Sequence, residues 1–253
     1  RQAGAIDRPL FTETGRGQPV QGMIQARAQF LRTEGRPQEI GRPQRHQIAH
    51  RLGPQTHRVD QQHRRQAAGK RGRYEWISYD HEIFNMATMI QAAVARYRAT
   101  GRVDLLDVAC RAADHMDMTF GWGKREELCG HPLIEMALVE LYRVTEEPRY
   151  LKLASYFVEK RGQRTLTDPT WQGWTSTYFS DRIPVRETRY PEGHAVRAVY
   201  FASGATDVAI ETGDAELLAA LRKQWDNMVE AKMYINGSLG SRWEGESFGD
   251  PFE

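Results

Sequence analysis

Three helical runs in this chain each open at a histidine and close on the same kind of turn, and that repetition limits the folds open to it. The openings are His81 in Asp80-His81-Glu82-Ile83-Phe84, His131 in Cys129-Gly130-His131-Pro132-Leu133, and His194 in Glu192-Gly193-His194-Ala195-Val196-Arg197. The closings are Ala99-Thr100-Gly101, Val144-Thr145-Glu146 and Glu211-Thr212-Gly213. A second helical pattern follows each closing. Six residues past the turn threonine stand Leu106, Leu151 and Leu218, and nine past it stand Ala109, Ala154 and Leu221. One αα-hairpin therefore recurs about every 45 to 65 residues. Such a pair cannot bury its apolar face alone, so the pairs must stack or close on one another. An α-solenoid and a closed α/α toroid both satisfy that demand, and the repeat does not choose between them. In a toroid every first helix starts at the same end, so the three histidines would converge on one mouth.

The first hairpin spans 81 to about 119, with Ile83, Met86, Ile90, Ala93, Val94 and Tyr97 at helical spacing. The second carries Leu133, Ile134, Ala137, Leu138 and Leu141, with Pro132 expected in the first turn and Pro148 opening the return helix. The third has Ala195, Val199, Ala202, Ala205 and Ala209, then Leu217, Leu218, Leu221, Trp225 and Met228. Between the second and third lies an aromatic stretch, Trp171-Gln172-Gly173-Trp174 and Tyr178-Phe179, leading to Ile183-Pro184-Val185-Arg186-Glu187. A long loop of this kind in a compact domain is often functional. After the last helix, Met233 to Gly240 reads as a short strand and a glycine-rich turn. The fold class expected is all-α: a partial (α/α)6 barrel of αα-hairpins with a short β/loop segment at its C-terminal end.

Composition divides the chain at residue 74. Residues 1–73 hold no Cys, Trp or Tyr, are roughly one-third Arg and Gln, and carry a charge of about +10. Residues 74–253 hold all six Trp and both Cys, at about −8. The first part has no sustained apolar period and cannot offset its ordering entropy. It fits a basic arm for nucleic acid, a solvated tail, or a coding segment translated in the wrong frame. The abrupt change in chemistry favours the last, and an Arg-Gln composition fits nucleic acid poorly. Neither nucleic acid nor a membrane is the expected partner, since no segment is long and apolar enough to span a bilayer.

Cys110 and Cys129 show no metal or redox spacing and read as buried or free thiols. Nucleotide-loop, zincin and serine-hydrolase motifs are absent. The chemistry must come from other side chains. A lone histidine at a helix start is usually a cap, but three at equivalent points of a repeat form a pattern. The positive end of a helix favours neutral imidazole, which both donates to and accepts from hydroxyls such as those of sugars. Glu246, between Gly245 and Ser247, could serve as a general acid/base, although its spacing alone fits a solvated loop acid. Trp171, Trp174 and Tyr178 could stack on sugar rings or pack as core.

Six blocks in order resemble glycoside hydrolase family 127, typified by β-L-arabinofuranosidases. They are His81-Glu82-Ile83-Phe84; Gly130-His131 with Ile134 to Thr145; Pro184-Val185-Arg186-Glu187; Gly193-His194-Ala195-Val196-Arg197-Ala198; Lys232-Met233-Tyr234-Ile235; and Gly245-Glu246-Ser247-Phe248. The resemblance covers Tyr74 to Glu253. It implies an (α/α)6 barrel and retaining hydrolysis of terminal furanosides, with β-L-arabinofuranosides the expected substrate. It implies substrate contacts from His81, His131 and His194, with Glu246 as catalytic acid/base. In that family the nucleophile is a cysteine thiolate at a zinc site, which points to a reducing compartment. The zinc ligands and the nucleophile follow the Gly-Glu-Ser-Phe block, and Cys110 and Cys129 match neither. The chain is therefore expected to be a fragment that binds no zinc and does not turn over. Phe84 stands where the family motif has tyrosine. A non-catalytic helical scaffold, or another toroid enzyme such as an unsaturated glucuronyl hydrolase, would also fit the repeat. The latter needs a basic pocket, to which Arg186 and Arg197 could contribute.

Overall fold

The structure, a computed structural model, describes residues 72–78, 80–166 and 175–253. Among them are six α-helices: α1 (Glu82–Thr100), α2 (Asp104–Thr119), α3 (Ile134–Thr145), α4 (Pro148–Lys160), α5 (Ala195–Thr212) and α6 (Ala215–Ala231). They form the three expected hairpins. Each first helix packs on the next, α1 on α3 and α3 on α5, while α2, α4 and α6 pair with their own partners on the outside. This inner row backed by an outer row is the layering of an α/α toroid.

The turns follow from local chemistry. Gly101, Glu146 and Gly213 each cap a first helix in the left-handed region, at φ 70°, 57° and 72°. Each donates its N–H back to the last turn, to Tyr97, Tyr142 and Ala209. The threonine before it donates its hydroxyl one turn back: Thr100 to Arg96 O (2.7 Å), Thr145 to Leu141 O (2.8 Å), Thr212 to Val208 O (2.8 Å). The hydroxyl satisfies a carbonyl that the helix end would otherwise leave open.

One core joins the hairpins, including Ile83 and Ile90 from α1, Leu106 from α2, Leu138 and Leu141 from α3, Phe157 from α4, and Phe201 from α5. Each such side chain contributes about 1.5–3 kcal/mol by leaving water. A smaller cluster of Ala195, Ala198, Met228 and Phe248, with Met233 and Leu239 against it, seats the C-terminal segment on α5 and α6.

Three expectations change. Helix α3 begins at Ile134, with Leu133 as its cap, so Pro132 precedes the helix. The buried Glu135 carboxylate takes the Leu133 N–H at 3.1 Å and starts the helix there. The strand expected after α6 is a turn, in which Tyr234 N donates to Ser238 O and Gly237 N to Tyr234 O. No strand occurs among the described residues, only isolated bridges such as Arg242 with Ser247. Lastly, Val199 and Trp225, expected in the core, are exposed. They line a cavity of about 410 Å³ between α5, α6 and the 180–192 segment. Among the described residues no helix is long and apolar enough to cross a membrane.

Candidate functional site

Two glycines deliver two of the histidines. Gly130 has no room for a side chain: a Cβ there would lie 1.8 Å from Ser78 O. That contact, with Gly130 N donating to Ile77 O at 3.2 Å, lays the His131 lead-in against the lead-in to His81. Gly193 adopts φ 74°, and a Cβ there would lie 2.0 Å from Thr177 O. His194 N then donates to Tyr178 O at 3.1 Å. The Gly-His pairs are thus backbone-to-backbone crossings that line up the starts of the inner helices.

The side chains meet as a result. The rings of His81 and His131 have centroids 5.2 Å apart, and those of His131 and His194 lie 6.4 Å apart. His194 Nε2 lies 3.0 Å from Glu246 Oε2. The four expected groups therefore form one continuous wall. His194 is buried, His131 half-buried, and His81 and Glu246 exposed. The 410 Å³ cavity is lined by none of them. Phe84 packs on His131 at 4.2 Å, Tyr178 on His194 at 5.5 Å, and Tyr200 lies 6.1 Å from His131. Trp171 and Trp174 fall outside the described residues.

Glu246 reaches His194 through an unusual turn. Gly245 and Glu246 are both left-handed, at φ 66° and 48°. A non-glycine residue there carries a conformational cost that is usually retained for a reason. Paired bonds between Arg242 and Ser247 close the turn, and Phe248 N donates to Gly193 O at 2.9 Å. The carboxylate thus hangs directly on the loop that carries His194.

Two of the imidazoles are kept neutral. Burial pushes the His131 imidazole down to about 4, and Arg197 and the neighbouring imidazoles push the same way. Burial, then Arg197, also lowers His194, against the pull of Glu246. His131 Nδ1 lies 3.0 Å from Pro132 O. A carbonyl can only accept, so Nδ1 carries the proton and Nε2 is left as an acceptor. His194 Nε2 donates to Glu246 when that carboxylate is ionised.

Beneath the wall lie two buried arginines. Arg161 donates to Phe179 O (2.8 Å) and Cys129 O (2.7 Å), with Glu135 at 3.9 Å. Arg197 donates to Gly130 O at 3.0 Å. Arg161, Glu135 and Tyr200 were not singled out in the sequence. Polar residues in a helical pattern read as a solvated face, and no local signal marked Tyr200 for the wall. Arg186, which could have served a basic pocket, pairs instead with Glu159 (2.5 Å) and Asp214 (2.7 Å). Arg197 is covered by Tyr178 and Phe179. Neither guanidinium is exposed on the face of the wall, so the basic pocket needed for an acidic sugar is not built from them. A shared wall also fits an enzyme better than a scaffold, whose histidines would scatter.

Both cysteines are free and buried. Burial pushes Cys110 up to about 11 and Cys129 up to about 12, so neither is a ready thiolate. Among the described residues no group of three or more His, Cys, Asp or Glu is placed to hold a metal ion, and these residues do not fit the zinc of the resembled family.

Residues 44–253 match the β-L-arabinofuranosidase, GH127 catalytic domain. The match starts inside the basic segment, ahead of Tyr74. A non-reducing end β-L-arabinofuranosidase from Bifidobacterium longum subsp. longum is 37% identical over 197 residues, covering 70% of this chain and 29% of its own length. The crystal structure of Ara127N-Se, a GH127 β-L-arabinofuranosidase from Geobacillus stearothermophilus T6, superposes with a TM-score of 0.67 at 37% identity, over 71% of this chain and 31% of that one. The GH127 β-arabinofuranosidase BT3674 gives 0.66 at 40% identity, over 74% and 28%. The chain thus spans under a third of the length of these relatives.

Proposed function

The chain belongs to glycoside hydrolase family 127, and on that premise we propose that its histidine wall is the part of a β-L-arabinofuranosidase site that grips the terminal furanose and supplies the proton. One observation carries the proposal: His81, His131, His194 and Glu246, from three hairpins and a C-terminal turn, form a single run of contacts.

The roles follow from hydrogen-bonding capacity. His131 Nε2, with its proton on the other nitrogen, accepts from a sugar hydroxyl. His81, exposed at the end of the row, is free to adapt to a second hydroxyl. Neutral imidazoles do this without repelling or trapping an ion. Glu246, protonated, donates to the leaving glycosidic oxygen, and once ionised it accepts a proton from the attacking water. His194 steadies the carboxylate between those steps through its Nε2–H. In this reading the strained turn at Gly245 and Glu246 is what aims the acid at the reacting oxygen. The family's zinc and thiolate have no counterpart among these groups, so the 253-residue chain alone binds the sugar without turning it over.

The test has two parts. Methyl β-L-arabinofuranoside should shift the imidazole NMR signals of His81, His131 and His194 at pH 7, and His131→Ala should abolish the response. p-Nitrophenyl β-L-arabinofuranoside should release no p-nitrophenol. Imidazoles that ignore the sugar would sink the binding role, and release of p-nitrophenol would sink the claim of inactivity.

A further inference from the structure

We propose that Arg197 is the positioning residue of this wall: from beneath, it fixes the His131 lead-in and the Tyr178 ring beside His194, and it stands a permanent cation behind both imidazoles. The inference rests on the wall being the sugar-binding surface, and deepens that reading.

Arg197 lies on α5, three residues past His194, and is buried. Its Nη1 donates to Gly130 O at 3.0 Å, the carbonyl immediately before His131. Its guanidinium lies 4.8 Å from the Tyr178 ring centroid and 5.3 Å from that of Phe179. Tyr178 in turn packs edge-on against His194. A single side chain therefore touches the supports of two imidazoles that come from different hairpins.

The cation is poorly compensated. It pairs with no carboxylate among the described residues, and its Nε is buried without a partner. Arg161, at similar depth, shares the unpartnered Nε but holds two carbonyls and has Glu135 nearby. An unpaired buried charge costs stability that an apolar side chain of similar size would not. Packing alone is a weak reason to keep guanidinium there, and control of the wall is a better one. Desolvation already lowers His131 and His194, and Arg197 adds to that at both. The other groups facing His131 are His81 and His194, while His194 faces Tyr178 and Glu246. Glu246 is the one that draws a proton onto His194, and Arg197 opposes it. The outcome is that His131 and His194 are held neutral side by side.

Two substitutions separate charge from scaffolding. Arg197→Gln keeps a donor for Gly130 O and removes the cation, whereas Arg197→Lys keeps the cation and loses the planar fork. Histidine ¹H–¹⁵N spectra of the 253-residue chain across pH report each imidazole. Arg197→Gln should raise the His131 midpoint above about 4 and raise His194 with it, both staying below the ordinary value because burial remains, while Arg197→Lys leaves both in place. Midpoints unmoved in Arg197→Gln would overturn the inference. So would a wild-type His131 titrating near 6.5, a check that needs no variant to fold. Methyl β-L-arabinofuranoside added at pH 7 keeps the two claims apart. Midpoints that move with Arg197 while the sugar perturbs nothing sink the sugar reading only; sugar binding with unmoved midpoints sinks the Arg197 role only.

Discussion

The two ends of the inner helices solve the same problem with different chemistry. At the starts of α1, α3 and α5 the neighbours meet through imidazoles, aromatic rings and backbone carbonyls. At their far ends they meet through ions. Arg143 on α3 bridges Asp207 (2.8 Å) and Glu211 (2.7 Å) on α5 and also holds Glu140, which pairs with Arg98 on α1. Because both sets link the same three helices in order, the helices run parallel. Their dipoles then place a positive end at the imidazoles and a negative end at the arginines. That polarity suits both ends, since it disfavours charged histidine at the start and favours Arg98 and Arg143 in the last turns. Helix pairing rests on partly buried ions at one end and on imidazoles, aromatic rings and backbone carbonyls at the other.

The contrast is broken most severely at the glycines. Gly130→Ala or Gly193→Ala forces a Cβ within about 2 Å of a backbone oxygen. Each should cost about 3 kcal/mol or more in urea unfolding, beyond ordinary overpacking. An alanine variant of normal stability would show that the crossings are looser than drawn. At the opposite end Arg143→Met leaves Glu140, Asp207 and Glu211 without their shared partner. A loss of about 2 kcal/mol is expected, since the cluster is only partly buried.

Acid should separate the two ends more gently. His131 has a folded pKa of about 4 against an ordinary 6.5, so the unfolded chain binds more protons between those values. The stability that comes from keeping it neutral is complete above 6.5 and drains as pH falls toward 4. Glu140 is lowered from 4.5 by Arg143 and Arg98 against its desolvation, so its contribution is complete above 4.5 and drains only below. Urea midpoints against pH should therefore fall in two stages. His131→Asn should flatten the upper stage and Arg143→Met the lower. A single stage common to both variants would mean that the ends are not independent.

The mildest change concerns the turns. Glu146 occupies the left-handed cap where the other two hairpins use glycine. Glu146→Gly removes the backbone strain together with the interaction of the Glu146 side chain, so the net change should stay within about 1 kcal/mol, and a larger loss would show that the side chain outweighs the strain.

Much of the hairpin framework was legible because it is local. Helix ends need only the residues beside them, and Thr100, Thr145 and Thr212 with their left-handed caps declare themselves in sequence. The gathering of His81, His131 and His194 was also legible, since equivalent positions in a repeat must end at equivalent places, whereas Glu246 lies outside the repeat and was tied to them only by the family resemblance. What could not be read depends on neighbours distant in the chain. Arg186 and Arg197 look alike in sequence, yet one lies in a surface ion cluster and the other beneath the wall. Val199 and Trp225 fit the helical stripe, but nothing local says which flank of the stripe a neighbour covers. Pro132 marked a helix start correctly in kind, although Glu135 draws the start two residues later.

In the proposed sugar site, the neutral His131 and His194 bear on how a ligand arrives. A neutral furanoside feels no long-range pull from the Glu246 carboxylate and meets the surface by simple diffusion. Its association rate should be nearly indifferent to added salt, whereas a uronate would be mildly repelled at low ionic strength and relieved as salt screens the field.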